Sequence, residues 1–144
     1  MSKLLTNPDT PIKVSSSLDK SVGKKHLLDN SPETCWTSQQ GLPQYVQLSF
    51  TESIIPETLQ LTFQGGFVGT RCAVKFQTSA TGDDWQMLTC LYPEDINGRQ
   101  EFSLNANAVA GDGIGKLRLS FEESSDFFGR ITLYDLKLHG IIVQ

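Results

Sequence analysis

Long apolar runs, histidines and basic clusters are scarce in this sequence. No stretch of the 144 residues approaches the ~20 consecutive apolar side chains that a membrane-spanning helix needs. The opening "MSKLLTNPDTP" has one apolar pair and no hydrophobic centre, so no secretory leader is expected. Cys35, Cys72 and Cys90 are an odd number at unrelated spacings, which argues against a disulfide framework or a zinc site and for reduced thiols in a cytosolic or nuclear protein. The two histidines, His26 and His139, stand in no nucleophile motif. There is no Gly-x-Ser-x-Gly, phosphate-cradling glycine loop or metal-ligating helix. Catalysis is not expected. The net charge of −4 and the pI of about 5.1 leave Lys24-Lys25-His26 as the basic cluster. Direct binding to nucleic acid is therefore disfavoured, because neutralised phosphates supply most of the affinity there.

What the sequence does have is alternation. In Glu57–Gln64, Leu59, Leu61 and Phe63 alternate with polar residues, the mark of a strand with one wet face. Val46, Leu48 and Phe50 repeat the pattern, as do Leu117, Leu119 and Phe121, and Cys72, Val74 and Phe76. "WQMLTCLY" is apolar on both parities and is expected to be covered on both sides. "IKVSSS", "QEFSL" and the last apolar segment bring the count to about eight strands in one domain over residues 1–144. Turn chemistry separates them: "TGDDW", Asn97-Gly98 and the glycine-rich "QGGFVGT". The helical candidates are short, "KKHLLD" or the "SPET" turn. No internal repeat or linker is visible. This predicts an all-β, eight-stranded jelly-roll β-sandwich. In the last strand Ile131 and Leu133 have odd parity while Tyr134, Leu136 and Leu138 are even, which predicts a bulge near Tyr134-Asp135.

The segment "HLLDNSPETCWTSQQGLPQYVQLSF" joins an Asp-led turn, Thr-x-Trp-x-Ser, a Gly/Pro loop and an alternating strand. It resembles the first third of galactose-binding-like domains, the superfamily of the discoidin or coagulation factor V/VIII type C domain. "VKFQTSATGDDWQML" and "KLRLSF…ITLYDLKLHG" are similar to later parts of that domain, in the same order. The resemblance implies a jelly roll with its termini close together and variable loops at one end. The strings "GKKHL", "ETCW", "FQGGF", "YPED" and "DFFGR" further resemble a family of small nuclear proteins that associate with an orphan nuclear receptor. That resemblance implies a nuclear setting, a receptor partner and repression of its transactivation by keeping it off DNA.

Some galactose-binding-like domains hold a structural calcium, and the resemblance carries the site to Asp29, Ser31, Thr34 and Asp135, with carbonyls near Leu27 completing it. Asp29 could equally cap its own turn. Trp36 and Trp85 are expected in the core. For binding, the resemblance places "FEESSDFFGR" in the loop between the last two strands, near "QQGLP" and "QGGFVGTR". The expected partner surface is Gln40, Phe67, Arg71, Asp126, Phe127, Phe128 and Arg130. Adjacent residues of an extended segment point opposite ways, so one phenylalanine should seal the core and the other face outward with Arg130. The competing arrangement buries both and leaves Arg130 paired with Asp126 or Glu123. Two rival functions stay open: a lectin built on Arg71, Arg130, Phe67 and Phe128, and a scaffold subunit of a larger complex.

Overall fold

A computed structural model describes residues 2–78, 81–109 and 111–143. Ser79 and Ala80 of the strand–turn–strand segment, and Gln144 of the tail, lie outside the described residues. Among the described residues nine strands run in chain order: β1 (Lys3–Leu4), β2 (Ile12–Val14), β3 (Trp36–Thr37), β4 (Gln44–Phe63), β5 (Arg71–Gln77), β6 (Gln86–Leu91), β7 (Gly98–Ser103), β8 (Ile114–Glu123) and β9 (Thr132–Ile142). "KKHL" closes into a single 3-10 turn, Lys24–Leu27, while "SPET" forms a plain turn.

The strands are partitioned differently from expectation: the segments around Val46 and Leu59 are one 20-residue strand, β4, while the two-residue strands β1 and β3 were not expected. Its first half pairs with β2 and β8. Its second half, after a register shift between Ser49 and Ile54, pairs with β7 and β9. One strand thus serves two layers: β2-β4-β8-β5-β6, and β7-β4-β9 with β1 and β3 on the far edge of β9. The exposed Thr51–Ser53 corner carries no apolar side chain, so the chain can bend there without uncovering core.

The two layers close as a jelly-roll sandwich over one apolar cluster. Leu59, Leu61 and Phe63 face Leu117, Leu119 and Phe121, all at most 1% exposed, and the Phe63 and Phe121 rings meet edge-on at 5.8 Å. Trp36 is fully buried and donates its indole N–H to the Ser16 carbonyl at 2.9 Å. The termini do lie together, since Lys3 and Leu4 pair with Gly140 and His139.

The bulge in β9 is where the parity break put it. Thr62 opposes Asp135 and Phe63 opposes Leu133, which leaves Tyr134 as the extra residue. Two expectations fail. "WQMLTCLY" is an edge strand with one wet face: Leu88 is an extra, bulged residue that turns inward, and Met87 and Tyr92 are exposed. Trp85 is not in the core. It lies half-buried on the outer sheet face, with the Arg118 guanidinium over its ring.

Candidate functional site

The loop joining β8 to β9 closes at one end of the sandwich as a β-turn from Asp126 to Gly129, with the Gly129 N–H donating to the Asp126 carbonyl at 3.0 Å. Phe127 and Phe128 occupy its two central positions, and both point outward, 93% and 52% exposed. The expected split between a core plug and an outward ring is therefore wrong, and so is the arrangement with both buried. Alternation holds for extended chain, whereas the corner of a turn projects both side chains away from the body. Asp at the first position and Gly at the fourth are turn preferences, so "DFFG" carried the signal. The rings touch edge-on at 5.2 Å.

The turn is braced from within. Asp126 Oδ2 accepts from the Arg130 backbone N–H (3.0 Å) and Nε (2.9 Å), and Oδ1 accepts from a terminal guanidinium nitrogen at 3.2 Å. These contacts, led by the hydrogen bond from Arg130, outweigh burial and hold the Asp126 carboxyl below the usual carboxylate range. The Ser124 hydroxyl donates to the Arg130 carbonyl at 2.7 Å and accepts from the Asp126 N–H at 3.0 Å. Arg130 also lies 5.2 Å from the Phe67 ring centroid and 5.7 Å from that of Phe128.

Neighbouring loops complete the end. The Gly41 N–H donates to the Phe128 carbonyl at 2.8 Å, which brings the "QQGLP" loop alongside and Gln40 with it. Gly129 is buried with φ +83°. A Cβ there would stand 3.0 Å from Leu42 Cγ and 3.2 Å from the Gly41 backbone, so the contact requires glycine. Phe67 is fixed from below: Asn97 Oδ1 accepts from the Gly65 N–H (2.6 Å), Asp95 Oδ1 from the Gly66 N–H (2.7 Å), and Ser125 Oγ from the Val68 N–H (2.9 Å). Sequence reading missed Asp95, Asn97, Ser124 and Ser125 as supports, and Leu42 as a 42% exposed apolar neighbour. Arg71, expected here, turns instead to Glu122 at 3.5 Å.

The other candidate cluster is looser. Asp29 accepts from the Ser31 N–H (3.0 Å) and the Thr34 hydroxyl (2.7 Å), and pairs with His26 Nδ1 at 3.0 Å. Burial alone would raise its pKa, but these hydrogen bonds outweigh it and lower the value. That is the capped-turn geometry. Asn30, at φ 60°, is the non-glycine with positive φ among the described residues, in keeping with the tolerance of Asn for that region. Asp135 lies 4.0 Å from Lys137 Nζ and shares a recess of about 370 Å³ with Asn30 and Ser31. As a calcium donor set this is weak: both carboxylates already have partners, and no three acidic, His or Cys side chains converge among the described residues.

The sandwich has the jelly-roll fold of galactose-binding-like, discoidin-type domains, and solved structures share it. The galactose complex of the family 32 carbohydrate-binding module of Clostridium perfringens NanJ aligns with a TM-score of 0.76 at 11% identity, covering 96% of this chain and 99% of that one. An F5/8 type C domain from Bacteroides fragilis aligns at 0.77 with 12% identity, over 98% and 97%. No protein-family profile matches the chain. Sequence relatives are more specific: nuclear receptor 2C2-associated protein of Mus musculus is 39% identical over 143 residues, 97% of each chain, and that of Homo sapiens 38% identical over 97% and 98%. The Xenopus tropicalis protein of that name is 40% identical over 89% and 91%. The chain belongs to the family of nuclear receptor 2C2-associated proteins.

Proposed function

We propose that the chain is a non-enzymatic nuclear module that associates with a nuclear receptor and represses its transactivation by keeping it from DNA. The family name supports the receptor as partner. The braced Phe127-Phe128 turn carries the surface. Two aromatic rings held outward by a two-pronged Asp126–Arg130 contact have the composition of a protein-binding hot spot, and their rigidity lowers the entropy lost on docking. Burying Phe127 alone against a partner is worth about 2 kcal/mol. The acidic chain then covers basic residues of the receptor that would otherwise meet phosphate. Asp29 acts as a turn cap, and the function needs no cation.

The test is a DNA-retardation assay with purified receptor, with and without this protein at saturation. Receptor–DNA binding should fall, and the Phe128→Ser, Arg130→Glu variant, checked for folding by thermal melting, should leave it unchanged. Unaltered DNA binding in the presence of wild type sinks the masking mechanism. A capture assay in which the variant retains the receptor moves the interface elsewhere.

One observation favours a second reading. Arg130 stands over Phe67 and Phe128, an arrangement that could stack a sugar ring, and the NanJ module of the same fold is solved with galactose. Against it, Asp126 already occupies both prongs of Arg130, leaving few donors for hydroxyls. A glycan array sensitive to millimolar affinity separates the two.

A further inference from the structure

The outer face of the five-stranded layer has a chemistry that the loop end does not use. One register row crosses it: Lys13 on β2 opposite Gln47 on β4, Gln47 opposite Arg118 on β8, Arg118 opposite Lys75 on β5, and Lys75 opposite Met87 on β6. Lys116, two residues along β8, points to the same side. In a chain of net charge −4 this row holds cations and no carboxylate. Among the described residues, none of Lys13, Lys75, Lys116 and Arg118 has an acidic group within 4.0 Å, whereas Glu122, further along that face, is taken by Arg71.

The centre of the row is preorganised. The Arg118 guanidinium lies 4.2 Å from the Tyr45 ring centroid and 4.4 Å from that of Trp85. It donates to Gln47 Oε1 from Nε at 3.2 Å and from a terminal nitrogen at 2.7 Å. Gln47 is neutral, so unlike Arg130 on Asp126 this cation keeps its charge uncompensated, and a guanidinium already held against two rings loses little entropy on meeting a carboxylate. Beside it Met87 is 58% exposed, an apolar side chain at the wet edge of the sheet. Past the β2 edge a recess of about 540 Å³ is lined by Lys13, Lys20 and Lys24 together with one carboxylate, Asp19, which already accepts from the Ser21 N–H and hydroxyl.

We propose that this face docks an acidic, extended segment of a protein partner, its carboxylates on Lys13, Lys75, Lys116 and Arg118 and an apolar side chain on Met87 and Trp85. Charge complementarity selects the occupant. Five strands span roughly 19 Å, the reach of about six extended residues. A long polyanion would meet the net negative charge of the rest of the chain, while a short acidic segment meets only the row. The surface is separate from the Phe127-Phe128 turn and does not depend on its role.

The probe is an oligoglutamate peptide with one central phenylalanine, titrated into the isotope-labelled full chain and followed by amide shifts. Shifts should gather at Lys13, Lys75, Met87, Lys116 and Arg118. Affinity should fall roughly tenfold in Lys75→Glu, Lys116→Glu and less in Lys75→Gln, Lys116→Gln, while Phe127→Ser, Phe128→Ser should bind as wild type. Equal or tighter binding of an oligothymidine of the same length would make the occupant a nucleic acid and overturn the proposal. So would shifts centred on the loop end, or unchanged affinity in the charge-reversed variant at wild-type melting temperature.

Discussion

Arg130 grips Asp126 with two donors, Nε 2.9 Å from Oδ2 and a terminal nitrogen 3.2 Å from Oδ1, across the turn that carries Phe127 and Phe128. Four residues apart in sequence, the pair closes the turn on itself and leaves the two rings nowhere to go but outward. Replacing Asp126 with Asn removes the charge and one acceptor oxygen. Receptor capture should weaken roughly tenfold while the thermal midpoint stays near wild type, because the loop is loosened and the core untouched. Equal capture by the variant would show that the brace is unnecessary.

The same pair sets a pH dependence. Asp126 has its pKa lowered in the folded chain relative to the ordinary value of ~3.9. A depressed carboxylate stabilises the fold above its unfolded pKa, and this contribution is lost as pH falls through the folded value. The Arg130 Nε–H resonance should stay constant above about pH 5 and move only in more acidic solution. Movement between neutrality and pH 5 would contradict the assignment.

The two tryptophans should behave oppositely. Trp36→Phe removes buried volume and the partner of the Ser16 carbonyl, at a cost of about 1–3 kcal/mol in denaturant titration. Trp85→Phe keeps a ring beside Arg118 at a half-exposed site and should cost about 0.5 kcal/mol or less. Comparable losses would return Trp85 to the core.

Asp29 as a turn cap leads to a calcium experiment. The melting temperature should be unchanged between calcium and a chelator, and Asp29→Ala should lower stability by about 1 kcal/mol in both. A rise in wild-type melting temperature with calcium, absent in Asp29→Ala, would establish a bound ion.

The thiols differ by burial. Cys72 is fully buried, and desolvation pushes its pKa well above the usual thiol value, while Cys35 and Cys90 are half-exposed. A thiol reagent at neutral pH should modify Cys35 and Cys90 in the native protein and reach Cys72 only in denaturant. Native modification of Cys72 would mean that β5 opens readily.

Alternation made most of the fold legible. The inward sets on β4, β5 and β8 were each readable because large apolar side chains alternate there with mostly polar or small ones, and the parity break around Tyr134 was readable because a bulge is a local change of period. Trp85 was misplaced because an aromatic beside a strand looks the same in sequence whether it faces the core or stacks on an arginine from another strand. The site divided in the same way. Asp126 and Arg130 are close in sequence, and their pairing was one half of the competing arrangement, whose buried phenylalanines were wrong, whereas Asp95 and Asn97 brace the Phe67 loop from about thirty residues away.

By itself, the sequence determined an all-β chain with alternating strands, glycine-bearing turns, an acidic balance and no catalytic motif. These follow from local backbone preference and from the partition of side chains between water and core. Only the tertiary structure decided that β4 serves both layers, that the loops of Gly41 and Phe67 flank the Phe127-Phe128 turn, and that Lys13, Arg118 and Lys75 line up across a sheet face with Lys116 beside them. Each of those depends on the register between strands distant in sequence, which is set by the packing of the whole core.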